Sequence, residues 1–129
     1  MILTLSTPAA CLPGCGVAGF GVSCAAIEAF CRHLAGELGP LGVRVVCLRP
    51  DAIPEAARNG SHSREVFRLH AERVGMTSEE FWGELKGGTL LCRLPTLAEV
   101  ANVAAFMGSD QVRAVTATVA NMTCGSIVD

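Results

Sequence analysis

Residues 16–39, GVAGFGVSCAAIEAFCRHLAGELG, followed closely by Val43-Arg44-Val45-Val46-Cys47-Leu48, decide the fold class of this chain. Ile27, Phe30, Cys31, Leu34 and Leu38 recur at helical spacing, which predicts one long helix with a single buried stripe. A glycine-rich approach and a Gly39-Pro40 stop mark its ends. Glu28 and Arg32 stand four apart in the favourable acid-before-base order and are assigned to the opposite side. Ala25, Ala26, Ala29 and Ala35 fill the flanks, where small side chains let a sheet or another helix come close. An apolar strand placed straight after a helix is half of a parallel crossover unit, because strands buried on both faces read as continuous apolar runs.

Outward from this stretch the same alternation continues. Ile2 to Ser6 reads as a short strand, and Pro8 to Gly16 as a loop marked by Pro13-Gly14. Arg49-Pro50-Asp51 ends the second strand. The polar segment 52–88 carries a short helix over Ser63 to Val74. Thr77-Ser78-Glu79-Glu80 is a capping box opening another helix through Phe81, Trp82 and Leu85, stopped by Gly87-Gly88. A second box, Thr96 with Glu99, opens a helix to Met107, and Val115 to Asn121 is the last strand. The order β-α-β-(α-α)-α-β predicts an α/β fold: about three parallel strands flanked by helices, in one domain covering residues 1–129.

Bulk properties narrow the function. The formal net charge is −2, and nine of the ten basic residues are arginine, Lys86 being the only lysine. Clustered basic charge is missing, so nucleic acid is not an expected partner. Residues 1–27 carry no charged side chain. They also lack a basic leader, and Pro13 with Gly14, Gly16, Gly19 and Gly21 interrupts any apolar span, so neither export nor membrane insertion is expected. The seven cysteines are odd in number and none has zinc-site spacing. Reduced, buried cysteines in a cytoplasmic protein without a metal are the expectation.

Phe20-x-x-x-Cys24-Ala25-Ala26, HLAGELGPLGVRVVCLRPDAIPEA at residues 33–56, Ala98-Glu99-Val100-Ala101 and Phe106-Met107-Gly108-Ser109-Asp110 together resemble the short-chain dehydrogenase/reductase family. The resemblance covers nearly the whole chain but only the C-terminal half of the family's usual length. It implies a partial Rossmann-like sheet and a truncated oxidoreductase. The family uses NAD or NADP, with a Tyr-x-x-x-Lys pair and a serine thirteen residues before the tyrosine. Carried over, the tyrosine position is Phe20, the lysine position is Cys24, and the serine position is Thr7, with Ser6 beside it. Phe20 has no ionisable group and Cys24 offers no cation near neutrality, so general acid–base catalysis is expected to be lost. On the cofactor side the resemblance implies weak cofactor positions at Pro50, Asp51 and Ile53; the family's Pro-Gly is Pro50-Asp51 here and its threonine two past Ile53 is Glu55, so carboxylates stand at positions 51 and 55. The resemblance therefore implies no NAD or NADP bound by this chain alone, and a homodimer or a partner supplying the N-terminal half.

The pattern Gly14-Cys15-Gly16-Val17-Ala18-Gly19 matches G-x-G-x-x-G literally. No strand runs straight into it and no acidic strand end follows at the required distance, so it reads as a loop feeding a helix. His33, His62 and His70 form no ligand pair. Phe67, Phe81 and Trp82 fall where the family carries its substrate-covering helices, and either line a pocket or pack onto the sheet. Three functions follow: a family member acting as a subunit or interaction piece without independent catalysis; an oxidoreductase component active only with a separate NAD(P)-binding half; or a thiol sensor at Cys24, whose place near a helix N-terminus favours a thiolate.

Overall fold

The computed structural model describes residues 1–14 and 18–129. Three parallel strands form one sheet in the order β1 (Ile2–Leu5), β2 (Val45–Pro50), β3 (Thr118–Met122). Ile2 stands opposite Val45, and Val46 opposite Thr118. The 21-residue helix α1 (Ala18–Leu38) connects β1 to β2. Among the described residues four α-helices lie between β2 and β3: α2 (Pro54–Arg58), α3 (Ser63–Arg73), α4 (Ser78–Gly87) and α5 (Leu97–Gly108).

The expected α/β class is the one observed. All six residues of β2 are buried, as a strand paired on both sides and covered on both faces requires. Both predicted capping boxes form, at Thr77 with Glu80 and at Thr96 with Glu99. Strand ends move. β2 runs through Arg49 and Pro50 rather than stopping at Leu48, because Arg49 and Pro50 remain in register with Asn121 and Met122. β3 starts at Thr118 instead of Val115. The backbone turns through Ala117 at φ 55, while Thr116 Oγ1 accepts from the Val45 N–H. Helix α2 was not signalled in the sequence; Pro54 at its first position supplies a fixed φ for the opening turn.

The buried face of α1 differs from the predicted stripe. Cys31 is buried and Ile27 and Leu34 pack against the core, as expected, but Phe30 is 56% exposed. The face that meets the sheet is Cys24, Glu28, Cys31 and Ala35. Cys31 and Ala35 are small enough to bring the helix axis close to Val45 and Cys47. Glu28, assigned from the sequence to the outer side, is therefore an inner residue.

Phe67 packs on Trp82 with ring centroids 4.7 Å apart, and His70 lies 5.4 Å from Phe81, so the aromatic residues close the α3–α4 hairpin on itself. The cysteines are not uniformly buried either. Cys24, Cys31 and Cys47 are, whereas Cys11 and Cys92 are exposed, and all six described cysteines are free thiols. Among the described residues no group of three or more His, Cys, Asp or Glu could hold a metal, and no helix is long and apolar enough to cross a membrane. The G-x-G-x-x-G match runs through residues 15–17 and so lies partly outside the described residues.

Candidate active site

The C-terminal ends of β1 and β2 meet the N-terminal half of α1 in one corner of the molecule. Thr7, two residues past the end of β1, places its Oγ1 3.5 Å from the Cys24 Sγ on α1. The same oxygen accepts from the Ala9 N–H at 3.3 Å and caps the 3-10 turn Pro8–Ala10. The two candidate positions, 17 residues apart in sequence, are thus neighbours, brought together because α1 doubles back over the strand it follows. Cys24 is only 4% exposed and occupies the second turn of α1, beyond the reach of the helix N-terminus. Its burial removes the access that a reactive thiol needs and weighs against the thiol-sensor expectation.

Phe20 lies one turn before Cys24 and is 53% exposed. The corner therefore contains a hydroxyl and a thiol in contact, with an apolar ring on its rim and no cationic side chain at positions 20 and 24. Pro50 is buried at the end of β2. Both carboxylate oxygens of Asp51 are engaged: Oδ1 accepts from the Ala52 N–H at 2.7 Å and Oδ2 from Ser126 Oγ at 2.5 Å. Ile53 is half-buried and extended, leading into α2. Glu55 Oε2 accepts from the Leu97 N–H at 2.8 Å and so caps the start of α5. Both carboxylates on the side where the resemblance would place a cofactor hold loops together. The residues present do not fit the ribose-holding and proton-donating roles of a nicotinamide dinucleotide site.

Beneath this corner lies a network of polar side chains that sequence reasoning missed. Glu28 on α1 accepts two parallel bonds from Arg49 on β2, Nε to Oε1 at 2.7 Å and NH2 to Oε2 at 2.9 Å. Ser6 Oγ donates to Glu28 Oε1 at 2.8 Å, and the same hydroxyl lies 3.3 Å from the Cys24 carbonyl. Arg49 NH1 donates to Asp129 Oδ1 at 2.7 Å. Ser6, Glu28 and Arg49 are all buried. The Arg49 hydrogen bonds hold the Glu28 carboxyl below its ordinary value, and they outweigh burial, which acts in the opposite direction. The Asp129 carboxyl is lowered for the same first reason, its bond to Arg49. A sequence signal existed: Cys24, Glu28, Cys31 and Ala35 share one helical face, and a glutamate in that row must find a partner inside.

The chain matches the family described as enoyl-(acyl carrier protein) reductase over residues 1–126 and belongs to the short-chain dehydrogenase/reductases. It is 27% identical over 121 residues to (+)-borneol dehydrogenase 2 of Salvia officinalis, covering 87% of this chain and 38% of that protein. Its fold superposes on sorbitol-6-phosphate 2-dehydrogenase of Erwinia amylovora with a TM-score of 0.84 at 20% identity, over 98% of this chain and 48% of the other. It also superposes on the N-domain of a bacterial malonyl-CoA reductase, solved with NADP, with a TM-score of 0.77 at 26% identity, over 98% of this chain and 24% of that one. The chain thus spans half or less of the length of each of these proteins.

Proposed function

We propose that this chain is a short-chain dehydrogenase/reductase piece without redox activity of its own, acting as a subunit or interaction element. The observation that carries the reading is the corner at Thr7, Phe20 and Cys24. The residue facing outward at the tyrosine position has no proton to give, and the residue at the lysine position is an inward thiol resting on Thr7. Neither supplies the acid or the cation on which hydride chemistry in this family depends. NAD or NADP is not bound by the chain alone, and the carboxylates of Asp51 and Glu55 stay in their structural roles. The test is a titration with NADH and NADPH followed by fluorescence of Trp82, the single tryptophan. Saturable binding at or below about 100 μM, roughly −5.5 kcal/mol, defeats the proposal.

One observation favours a second reading, an oxidoreductase component active only with a separate NAD(P)-binding half. Among the described residues β1 is an edge strand paired only with β2, and Leu3 and Leu5 on one of its faces are exposed. Such an edge accepts a further strand. Under the first reading the same edge, or the exposed Phe20, Val22 and Phe30 of α1, serves a homodimer instead. A cytoplasmic setting accompanies both readings and is supported by the free thiols of the described cysteines. Activity recovered on mixing with a dinucleotide-binding half, in the presence of NADPH, separates the two.

A further inference from the structure

The segment Thr123–Asp129 leaves β3 and folds back across the end of β2. It is clasped to the end of β3: Thr123 Oγ1 donates to Asn121 Oδ1 at 2.7 Å and accepts from the Ile127 N–H at 3.3 Å, Asn121 Nδ2 donates to the Ile127 carbonyl at 2.9 Å, and the Leu91 N–H donates to the Cys124 carbonyl at 3.0 Å. Two side chains then tie it to the neighbouring strand end, Ser126 to Asp51 and Asp129 to Arg49. Ser126 and Asp129 lie three residues apart, and their partners Asp51 and Arg49 lie two apart at the end of β2. The two partners of the Asp129 anchor differ in wetness. Arg49 is 4% exposed and is already held by two bonds to Glu28, whereas the side chain of Asp129 is 52% exposed.

We infer that residues 123–129 form a strap closed over the buried Arg49 by the Asp129 carboxylate, able to open without disturbing the Glu28–Arg49 pair. A half-exposed carboxylate exchanges its bonds to Arg49 and Asn121 for water at smaller cost than the dry pair behind it exchanges its own. Opening leaves the NH1 N–H groups of Arg49 aimed outward by a guanidinium that Glu28 keeps from rotating. In that state Arg49 presents a donor to an anionic group, a carboxylate or phosphate oxygen, arriving from solvent. The Asp129 carboxylate is then the occupant supplied by the chain itself. This inference does not depend on whether the corner at Thr7 and Cys24 is catalytic.

Amide hydrogen exchange of the full chain, resolved by residue, tests the strap in Asp129→Ala and Ser126→Ala variants. Each change removes one anchor and leaves Glu28 and Arg49 in place. The expected result is exchange about fivefold faster at Ser126 and Ile127 in either variant, with the amides of Val46 and Leu48 on β2 unchanged. Unchanged exchange at Ser126 and Ile127 in Asp129→Ala overturns the inference, because Asp129 then holds nothing. Equal acceleration on β2 overturns it as well, because the segment then opens only with the sheet.

Discussion

Glu28 and Arg49 form a bidentate ion pair between α1 and β2 in which both residues are at most 6% exposed. The pair fastens the crossover helix to the central strand, and through Ser6 it also fixes the end of β1. Breaking a buried pair by removing one member leaves the other charge without compensation, which is more damaging than losing the pair as a unit. Glu28→Ala is expected to destabilise the fold by about 3 kcal/mol or more in urea unfolding. The double change Glu28→Leu with Arg49→Met should be milder than Glu28→Ala. A single-variant loss below about 1 kcal/mol would place the pair among ordinary surface bridges.

The pH dependence follows from the same pair. The folded-state carboxyl of Glu28 is lowered, so its contribution to stability is complete above its unfolded value of 4.5 and is lost as pH falls through the lowered folded value. The stability difference between wild type and Glu28→Gln should therefore be constant between pH 6 and 7 and shrink progressively below about pH 4.5. Unfolding curves at a series of pH values check this. A difference that stays level down to pH 3 would mean that Glu28 is not titrating with the fold.

Two glycines of α1 should respond oppositely to alanine. A Cβ at Gly21 would stand 2.8 Å from the Ala9 carbonyl oxygen, where backbone cannot yield cheaply. Gly21→Ala is expected to cost about 1–3 kcal/mol by forcing the helix away from the turn at Pro8–Ala10. A Cβ at Gly36 meets nothing within 4 Å, so Gly36→Ala should add about 0.5–1 kcal/mol through helix propensity. Thermal unfolding of the two variants reads out both signs.

Restoring the family residues at the corner should not restore turnover. In Phe20→Tyr with Cys24→Lys, the tyrosine would sit at an exposed position, but the lysine must leave a site only 4% exposed and give up the contact with Thr7. A lysine held there is desolvated, which is costly unless it finds a partner. No NADPH-dependent reduction of a carbonyl substrate is expected from this variant. Turnover above background would show that the cofactor side is complete.

Self-association is the remaining expectation. The exposed Phe20, Val22 and Phe30 of α1, with Leu3 and Leu5 at the open edge of β1, leave apolar surface on two elements. Sedimentation equilibrium should show dimer at micromolar concentration, weakened by Phe30→Asp, which changes a side chain already 56% exposed and so leaves the fold intact. A species that stays monomeric to about 100 μM counts against the homodimer.

The amino-acid sequence by itself determined what depends on neighbours along the chain. The long helix over α1, the capping boxes at Thr77 and Thr96, the apolar run of β2 and the residues standing at positions 7, 20 and 24 were all legible, because turn chemistry and periodicity act within a few residues. The family was legible for the same reason, since its motifs are short and ordered along the chain. Only the tertiary structure decided which face of α1 is inside. The stripe containing Phe30 is the more hydrophobic, yet the row holding Cys31 and Ala35 won because it lets the helix sit closer to the sheet, and that choice carried Glu28 inward. Arg49 is 21 residues from Glu28 and 80 from Asp129 along the chain. No local signal spans such distances; the parallel crossovers bring these charges together, and burial then obliges them to pair.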